Sequence, residues 1–304
     1  MPAVSAVIPT YNRLPLLMEA VASVRAQTFA DWELVVADDG STDGSAEAVE
    51  ALGDPRIRVL RLPHAGYAAA GRNAGLAAAR GEWVAFLDSD DRWEPHKLAV
   101  QLHLARRAGV RWSYTDVRLV DEQGRTIPLR AGRFRPLSGM ILRELLENRT
   151  AATHPTLLVQ RALLDEVGRF DASAGRDDYD LVLRLAARAP ALAVDQALTV
   201  VREHGGRTTR GMASPHEVSL RPYERFLERE RDPALRRVAW ARMARLLVDG
   251  AVYESALGRH GRAAGMLRRS LRYDPPPAAW MRAAASVAAR ALGLRRSINP
   301  KSGG

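Results

Sequence analysis

Four short apolar runs, each followed by a helical pattern, constrain this chain more than anything else in it. SAVIP (5–9) runs into LPLLMEAVASVRAQ, whose Leu17, Ala20, Val21 and Val24 recur at helical spacing. WELVVAD (32–38) passes through DGSTDGS into AEAVEAL, IRVLRL (57–62) leads to AAAGRNAGLAAAR, and WVAFLD (83–88) to PHKLAVQLHLARR. This βαβα alternation predicts a parallel sheet with helices on its faces. Ligands of such sheets gather at the carboxyl ends of the strands. Three polar clusters fall at such ends: PTYN, DDGSTD and DSDD.

Past residue 110 the rhythm changes. RWSYTDVRLVDEQGRTI reads as two strands around a turn at Asp121–Gly124. A helix over 139–147, a strand over 155–159, a helix over 178–188 and strands through 191–202 are expected to extend the same sheet in mixed fashion. From Pro215 nearly everything reads as helix, punctuated by prolines at 233 and 275–277, before a tail, SINPKSGG, expected to be disordered. The expected fold class is therefore α/β: one domain over 1–214, with halves 1–110 and 111–214, and a basic helical region over 215–304.

Composition narrows the function classes. At 304 residues and 47% hydrophobic, the chain can bury one large core or two smaller ones. The start, MPAVSAVIPTYN, lacks a basic and then long apolar leader, and no window is apolar for long enough to span a bilayer. With no Cys there is no disulfide framework, thiolate metal site or Cys nucleophile, so a cytoplasmic location is the default expectation. The net charge of +10 lies in the C-terminal region: residues 1–220 carry 27 Arg and Lys against 28 Asp and Glu, residues 221–304 carry 18 against 7. A near-neutral first part argues against nucleic acid as a partner.

Dinucleotide and P-loop readings fail for want of GxGxxG or GKS/T after a strand. No GxSxG elbow is present, and the seven His show no HExxH spacing. What remains is a row of carboxylates at successive strand ends: Asp38 and Asp39, then Asp88, Asp90 and Asp91. Hard oxygen ligands of this kind suit Mg²⁺ or Mn²⁺ beside substrate phosphates. DDGSTDGS reads equally well as a turn with Ser41, Thr42 or Ser45 as helix cap. Arg72 reads as a solvated helix residue or as a cation for a diphosphate at a helix start.

Taken together, VSAVIPTYNR, ASVRAQTF-x₂-WELVVADDGSTDGS, AAGRNAGLAAARGEWVAFLDSDDRWEPHKL and VGRFD-x₆-DDYDLVLRLA resemble the ordered motifs of family 2 glycosyltransferases of the GT-A fold, over roughly residues 3–210. The resemblance implies a mixed, mostly parallel sheet flanked by helices, with a nucleotide-sugar-binding half (1–110) and an acceptor half (111–214). It implies inverting transfer of a sugar from a nucleotide diphosphate donor, UDP-linked by preference, with a divalent cation, Mg²⁺ or Mn²⁺. The acceptor would be a hydroxyl of a glycan or lipid-linked molecule, in cell-surface polysaccharide synthesis.

Residue by residue, the resemblance puts Pro9 and Tyr11 beside the base and Asp39 on the uracil ring N–H, which an ionised carboxylate can accept. It puts Arg72 on the donor, and Asp88 and Asp90 in the DxD signature, with Asp90 as metal ligand and Asp88 its partner through water or the ribose. Asp91 is left to cap the next helix or support the other two. Asp178 is the expected base, with Asp177 before it standing where the family usually has Glu, on the acceptor side; both carboxylates can equally cap their helix. His204 is a candidate for metal or phosphate, as are Arg202 and Arg207, and His154 is divided between acceptor pocket and core. Trp32, Trp83 and Trp93 are expected in the core, Trp93 being the one placed to meet a sugar.

Beyond the resemblance, WMRAAASVAARALGLRR is amphipathic and is expected either to lie on anionic lipid, at the inner face of the plasma membrane, or to pack back on the catalytic domain. Two other readings compete with sugar transfer. A sugar nucleotidyltransferase needs a Gly-rich basic loop after the first strand, which PTYNRLPL lacks. An inert binding relative is at odds with the presence of Asp39, Asp90 and Asp178.

Overall fold

A computed structural model of the chain describes residues 1–128, 136–171, 173, 176–203 and 215–293. His204, Arg207 and the tail SINPKSGG lie outside the described residues. The described residues up to 203, Arg176 apart, make one compact unit and residues 215–293 belong to a second.

The first unit is built on strands β1 (Val4–Thr10), β2 (Trp32–Asp38), β3 (Ile57–Arg61) and β4 (Trp83–Phe86), alternating with helices α1 (Leu14–Arg25), α2 (Ser45–Glu50) and α3 (Ala68–Ala78). There follow β5 (Arg92–Trp93), α4 (Lys97–Ala108), β6 (Trp112–Val120), α5 (Leu142–Leu146), β7 (Leu158–Gln160), α6 (Arg161–Val167), α7 (Asp177–Arg188) and β8 (Ala191–Arg202). The sheet order among the described residues is β3-β2-β1-β4-β7-β6-β8-β5. The β3-β2-β1-β4 half is parallel, as the alternation predicts. β7 runs antiparallel to β4 and β6, while β8 is parallel to β6 and antiparallel to β5.

β1 and β2 are buried along their whole length, which accounts for their unbroken apolar character. Leu17, Ala20, Val21 and Val24 of α1 pack on that sheet with Trp32, Trp83 and Leu98. On the other side α3 lies so close to β1 that a Cβ on Gly75 would sit 2.3 Å from Val7 Cγ1, and one on Gly71 3.1 Å from Pro9 Cβ. Those two glycines bring the start of α3, and Arg72 with it, against the end of β1.

Three expectations need correction. The second strand after the Asp121–Gly124 turn reduces to one bridge between Val120 and Thr126. The expected strand over 155–159 begins as a tight 3₁₀ turn, His154–Thr156, because Pro155 has no N–H to give a ladder. The expected helix over 139–147 is the shorter α5.

The second unit comprises α8 (Pro215–Val218), α9 (Arg221–Arg229), α10 (Pro233–Ala256), α11 (His260–Ser270) and α12 (Pro277–Ala291). Asp232 caps α10 by accepting from the Ala234 N–H at 2.8 Å, with Pro233 opening the first turn. Ala239, Met243, Leu247 and Ala251 of α10 are buried with Ala263 and Met266 of α11 and Ala283 and Val287 of α12. The Trp280 indole donates to the Leu267 carbonyl at 3.2 Å, and Arg290 to that of Val252 at 3.1 Å. No helix among the described residues is long and apolar enough to cross a membrane.

Candidate active site

The loops after β1 and β2 are tied together by short polar side chains. Asn12, held at φ +47°, donates its N–H to Ser41 Oγ at 2.9 Å and accepts from the Thr42 N–H at 2.8 Å. Asp43 accepts from the Leu14 N–H at 2.9 Å and also from the Ser45 N–H and hydroxyl. The start of α2 is thus satisfied by Asp43, not by a Ser or Thr hydroxyl.

Tyr11 projects from this edge, 42% exposed, and stacks on His64 with ring centroids 4.1 Å apart. Asp39 is buried beneath them and accepts from the backbone N–H groups of Ala65 at 2.7 Å and Gly66 at 3.1 Å. His64 Nδ1 lies 2.9 Å from the Asp39 carbonyl and 3.1 Å from its carboxylate. His64 was not among the sequence candidates, because a single His in a loop carries no periodic signal.

Arg72 organises the centre. It is buried, with one nitrogen donating to Asp88 at 3.0 Å and another to Asp177 at 2.8 Å. Burial works against its charge, but Asp88, Asp177 and Asp178 outweigh that and hold its pKa above the ordinary value. Asp177 and Asp88, expected on the acceptor and donor sides respectively, are therefore joined through one guanidinium. Asp178 follows in the first turn of α7, half-buried, with its charge acting on both Arg72 and His154.

His154 is 1% exposed, between Phe86 (ring centroids 4.8 Å) and Phe170 (5.5 Å). Its Nδ1 stands 3.3 Å from Asp88 Oδ1 but without hydrogen-bond geometry, and neither ring nitrogen makes a hydrogen bond. Burial and then Arg72 push its pKa down, with Asp88 opposing, so the ring is neutral at pH 7. For the Asp88 carboxyl, burial alone would raise the pKa; the neighbouring His154 and Arg72 overturn that and hold it far below the usual carboxylate range.

The DSDD loop divides its carboxylates among separate partners. Asp90 pairs with Arg13, the last residue of PTYNR, whose role single-sequence reading did not single out. Asp91 accepts from the Arg202 N–H at 3.0 Å and so ties the loop to the end of β8; it caps no helix, since α4 starts at Lys97 without a side-chain cap. The Arg202 guanidinium reaches Glu19 at 2.5 Å. Trp93 is buried in the core, as Trp32 and Trp83 are, with its indole donating to the Pro155 carbonyl at 3.0 Å, so it is not placed to meet a sugar. Beneath it Lys97 is fully buried, its Nζ 4.4 Å from the Trp93 ring centroid and 2.8 Å from Gln101 Oε1.

No group of three or more His, Asp or Glu side chains among the described residues converges as a ready metal site. The donors present nevertheless fit Mg²⁺ or Mn²⁺, which take one or two carboxylates and complete their shell with water and substrate phosphate. Asp88 and Asp90 are two such carboxylates on one turn, 30% and 14% exposed at the side chain.

Residues 5–168 match the family model described as Glycosyl transferase family 2. The chain is 36% identical over 118 residues to UDP-Glc:alpha-D-GlcNAc-diphosphoundecaprenol beta-1,3-glucosyltransferase WfgD of Escherichia coli, covering 39% of this chain and 47% of that one. Other relatives of the chain are named for teichuronic acid biosynthesis and succinoglycan biosynthesis. TarS of S. aureus in complex with UDP-GlcNAc is similar in structure with a TM-score of 0.72 and 19% identity, covering 94% of this chain and 88% of that one. Mannosyltransferase PcManGT from Pyrobaculum calidifontis, in complex with GDP-Man and Mn²⁺, gives 0.59 and 21%, over 95% and 80%. At these identities the two structures speak for the fold alone. The chain spans 36% and 35% of the length of two relatives that it matches over 219 residues.

Proposed function

We propose, since this chain belongs to the family 2 glycosyltransferases and is an enzyme of that class with the GT-A fold, that its donor is a UDP-sugar. The acceptor is a hydroxyl on a lipid-linked or other glycan, and transfer inverts the anomeric carbon. One observation carries this reading: the Arg72 fork, which joins Asp88 of the DSDD loop to Asp177 at the start of α7.

In this reading Tyr11 and Pro9 flank the base, and Asp39, acceptor-only when ionised, takes the uracil N–H on a lone pair not used by Ala65 and Gly66. Asp90 and Asp88 are the residues that would hold a divalent cation, Mg²⁺ or Mn²⁺. Such a cation, when bound, supplies positive charge to the diphosphate as it leaves. Asp178 removes the acceptor hydroxyl proton while the new C1–O bond forms and the bond to the diphosphate breaks. His154, neutral and walled by Phe86 and Phe170, bounds the acceptor side. The name of the E. coli relative, a UDP-Glc enzyme, supports the donor choice, and the pair Asp88 and Asp90 on one turn supports a cation.

The test is a nucleotide-sugar panel, scored by calorimetric binding and by slow hydrolysis, with and without Mn²⁺ or Mg²⁺. UDP-sugars should bind in a metal-dependent way and Asp90→Ala should abolish that dependence. Asp178→Asn should keep donor binding and lose turnover by about a hundredfold or more. Binding and turnover untouched by Asp90→Ala would sink the reading.

A peripheral contact with anionic lipid at the cytoplasmic face completes the proposal. Ala278, Met281, Ala285, Ala288 and Leu292 are exposed along one face of α12 and its end, and residues 275–304 hold five cations and no acid. Sedimentation with phosphatidylglycerol vesicles, lost with phosphatidylcholine or on Met281→Glu, checks it; equal recovery in all three removes it.

A further inference from the structure

Two cations divide the carboxylates nearest Arg72, and they do so unequally. Asp88 and Asp177 share Arg72, which comes from α3 and is locked between two carboxylates and the Phe170 ring, its Cζ 5.6 Å from the ring centroid. Asp90 instead is paired with Arg13, which comes from the opposite side, out of the loop between β1 and α1. Arg13 is the more exposed cation, 26% against 10% for Arg72 at the side chain, and Asp90 is 14% exposed. A carboxylate that far out of water, beside Asp88 and Asp91, needs a positive charge near it.

Resting on the proposed cation-dependent reading, we infer that Arg13 is the built-in counter-ion of Asp90 and withdraws from it when a divalent cation enters the site. Arg13 thereby sets the affinity of the site for the cation. Its guanidinium nitrogen occupies Asp90 Oδ2, one of the two oxygens through which that carboxylate can act as a ligand. A cation must displace that contact, so the ion pair is a cost subtracted from every binding event. The loop that carries Arg13 is well suited to hold it in register: Asn12, immediately before it, is fixed to Ser41 and Thr42, and Leu14, immediately after, to Asp43. The backbone stays while the long side chain moves. Once released, the guanidinium remains at the same strand edge, where it can donate to a phosphate oxygen. A second positive charge is then available to the donor only after the first has been replaced.

The experiment is Mn²⁺ binding followed by electron paramagnetic resonance in the presence of UDP, on wild type, Arg13→Gln and Arg13→Lys. Folding of each variant is checked by its circular dichroism and melting temperature. Arg13→Gln keeps the length of the side chain and removes the charge, and should bind Mn²⁺ roughly tenfold tighter than wild type. Arg13→Lys, still cationic, should lie between the two. Unchanged or weaker Mn²⁺ binding by a folded Arg13→Gln overturns the inference while leaving the proposed function standing. Failure of wild type to take up Mn²⁺ with UDP or with GDP overturns the cation-dependent reading itself, and the inference with it.

Discussion

Lys97 offers a measurement of how far the interior beside the site departs from water. It is fully buried, and among the described residues its amine meets Gln101 Oε1 and the face of Trp93 and pairs with no carboxylate. Burial alone takes its pKa from 10.5 down to about 7. In the unfolded chain the amine titrates at its ordinary value, so between pH 7 and 10.5 the unfolded state holds a proton that the folded state has released. Stability therefore rises with pH across that window, by about 1.4 kcal/mol per pH unit. Below pH 7 both states are charged and the slope vanishes; above 10.5 both are neutral. Lys97→Met removes the titration while filling similar space. Urea unfolding of both proteins, followed by Trp fluorescence from pH 6 to 9, isolates the lysine, because every other titrating group cancels in the difference. The stability difference should be flat from pH 6 to 7 and then move toward wild type by about 2–3 kcal/mol by pH 9. Parallel curves throughout would show that Lys97 keeps an ordinary pKa, and the reasoning from burial would fail.

Two further expectations concern the site and the sheet. Arg72→Lys replaces a planar fork with a point charge that cannot reach Asp88 and Asp177 together, so kcat/KM for donor hydrolysis should fall by about a hundredfold in a folded protein. A Cβ on Gly81 would lie 2.6 Å from the Ser5 backbone nitrogen and 2.9 Å from the Trp83 carbonyl oxygen, neither of which can swing aside. Gly81→Ala should cost about 1–3 kcal/mol, read as a lower urea midpoint.

The parallel half of the sheet was legible because burial on both faces leaves an unbroken apolar run, as in WELVVAD, and because α1 repeats its apolar positions at helical spacing. The carboxylates at the strand ends were legible for the same reason: acids directly after such a run have no place in the core. Their pairing was not. Arg72 meets Asp177 across 105 residues, and Arg13 meets Asp90 across 77, distances over which spacing carries no information. The turn at His154–Thr156 was misread as strand because Leu157, Leu158 and Val159 pull the pattern toward β while Pro155 acts on the backbone alone. His64 was invisible because its contribution is a ring face, set by where the loop after β3 crosses Tyr11.

The bonds from Asn12 to Ser41 and Thr42, and from Asp43 to Leu14, have a practical corollary for anyone wishing to re-engineer this edge of the sheet. Residues 11–14 and 41–43 are a single graft. Transplanting one loop from another enzyme without its companion strands amide donors and a side-chain carbonyl that only the other loop can satisfy. Swaps made in pairs should express and melt like the parent, whereas single swaps should lose order at this edge first.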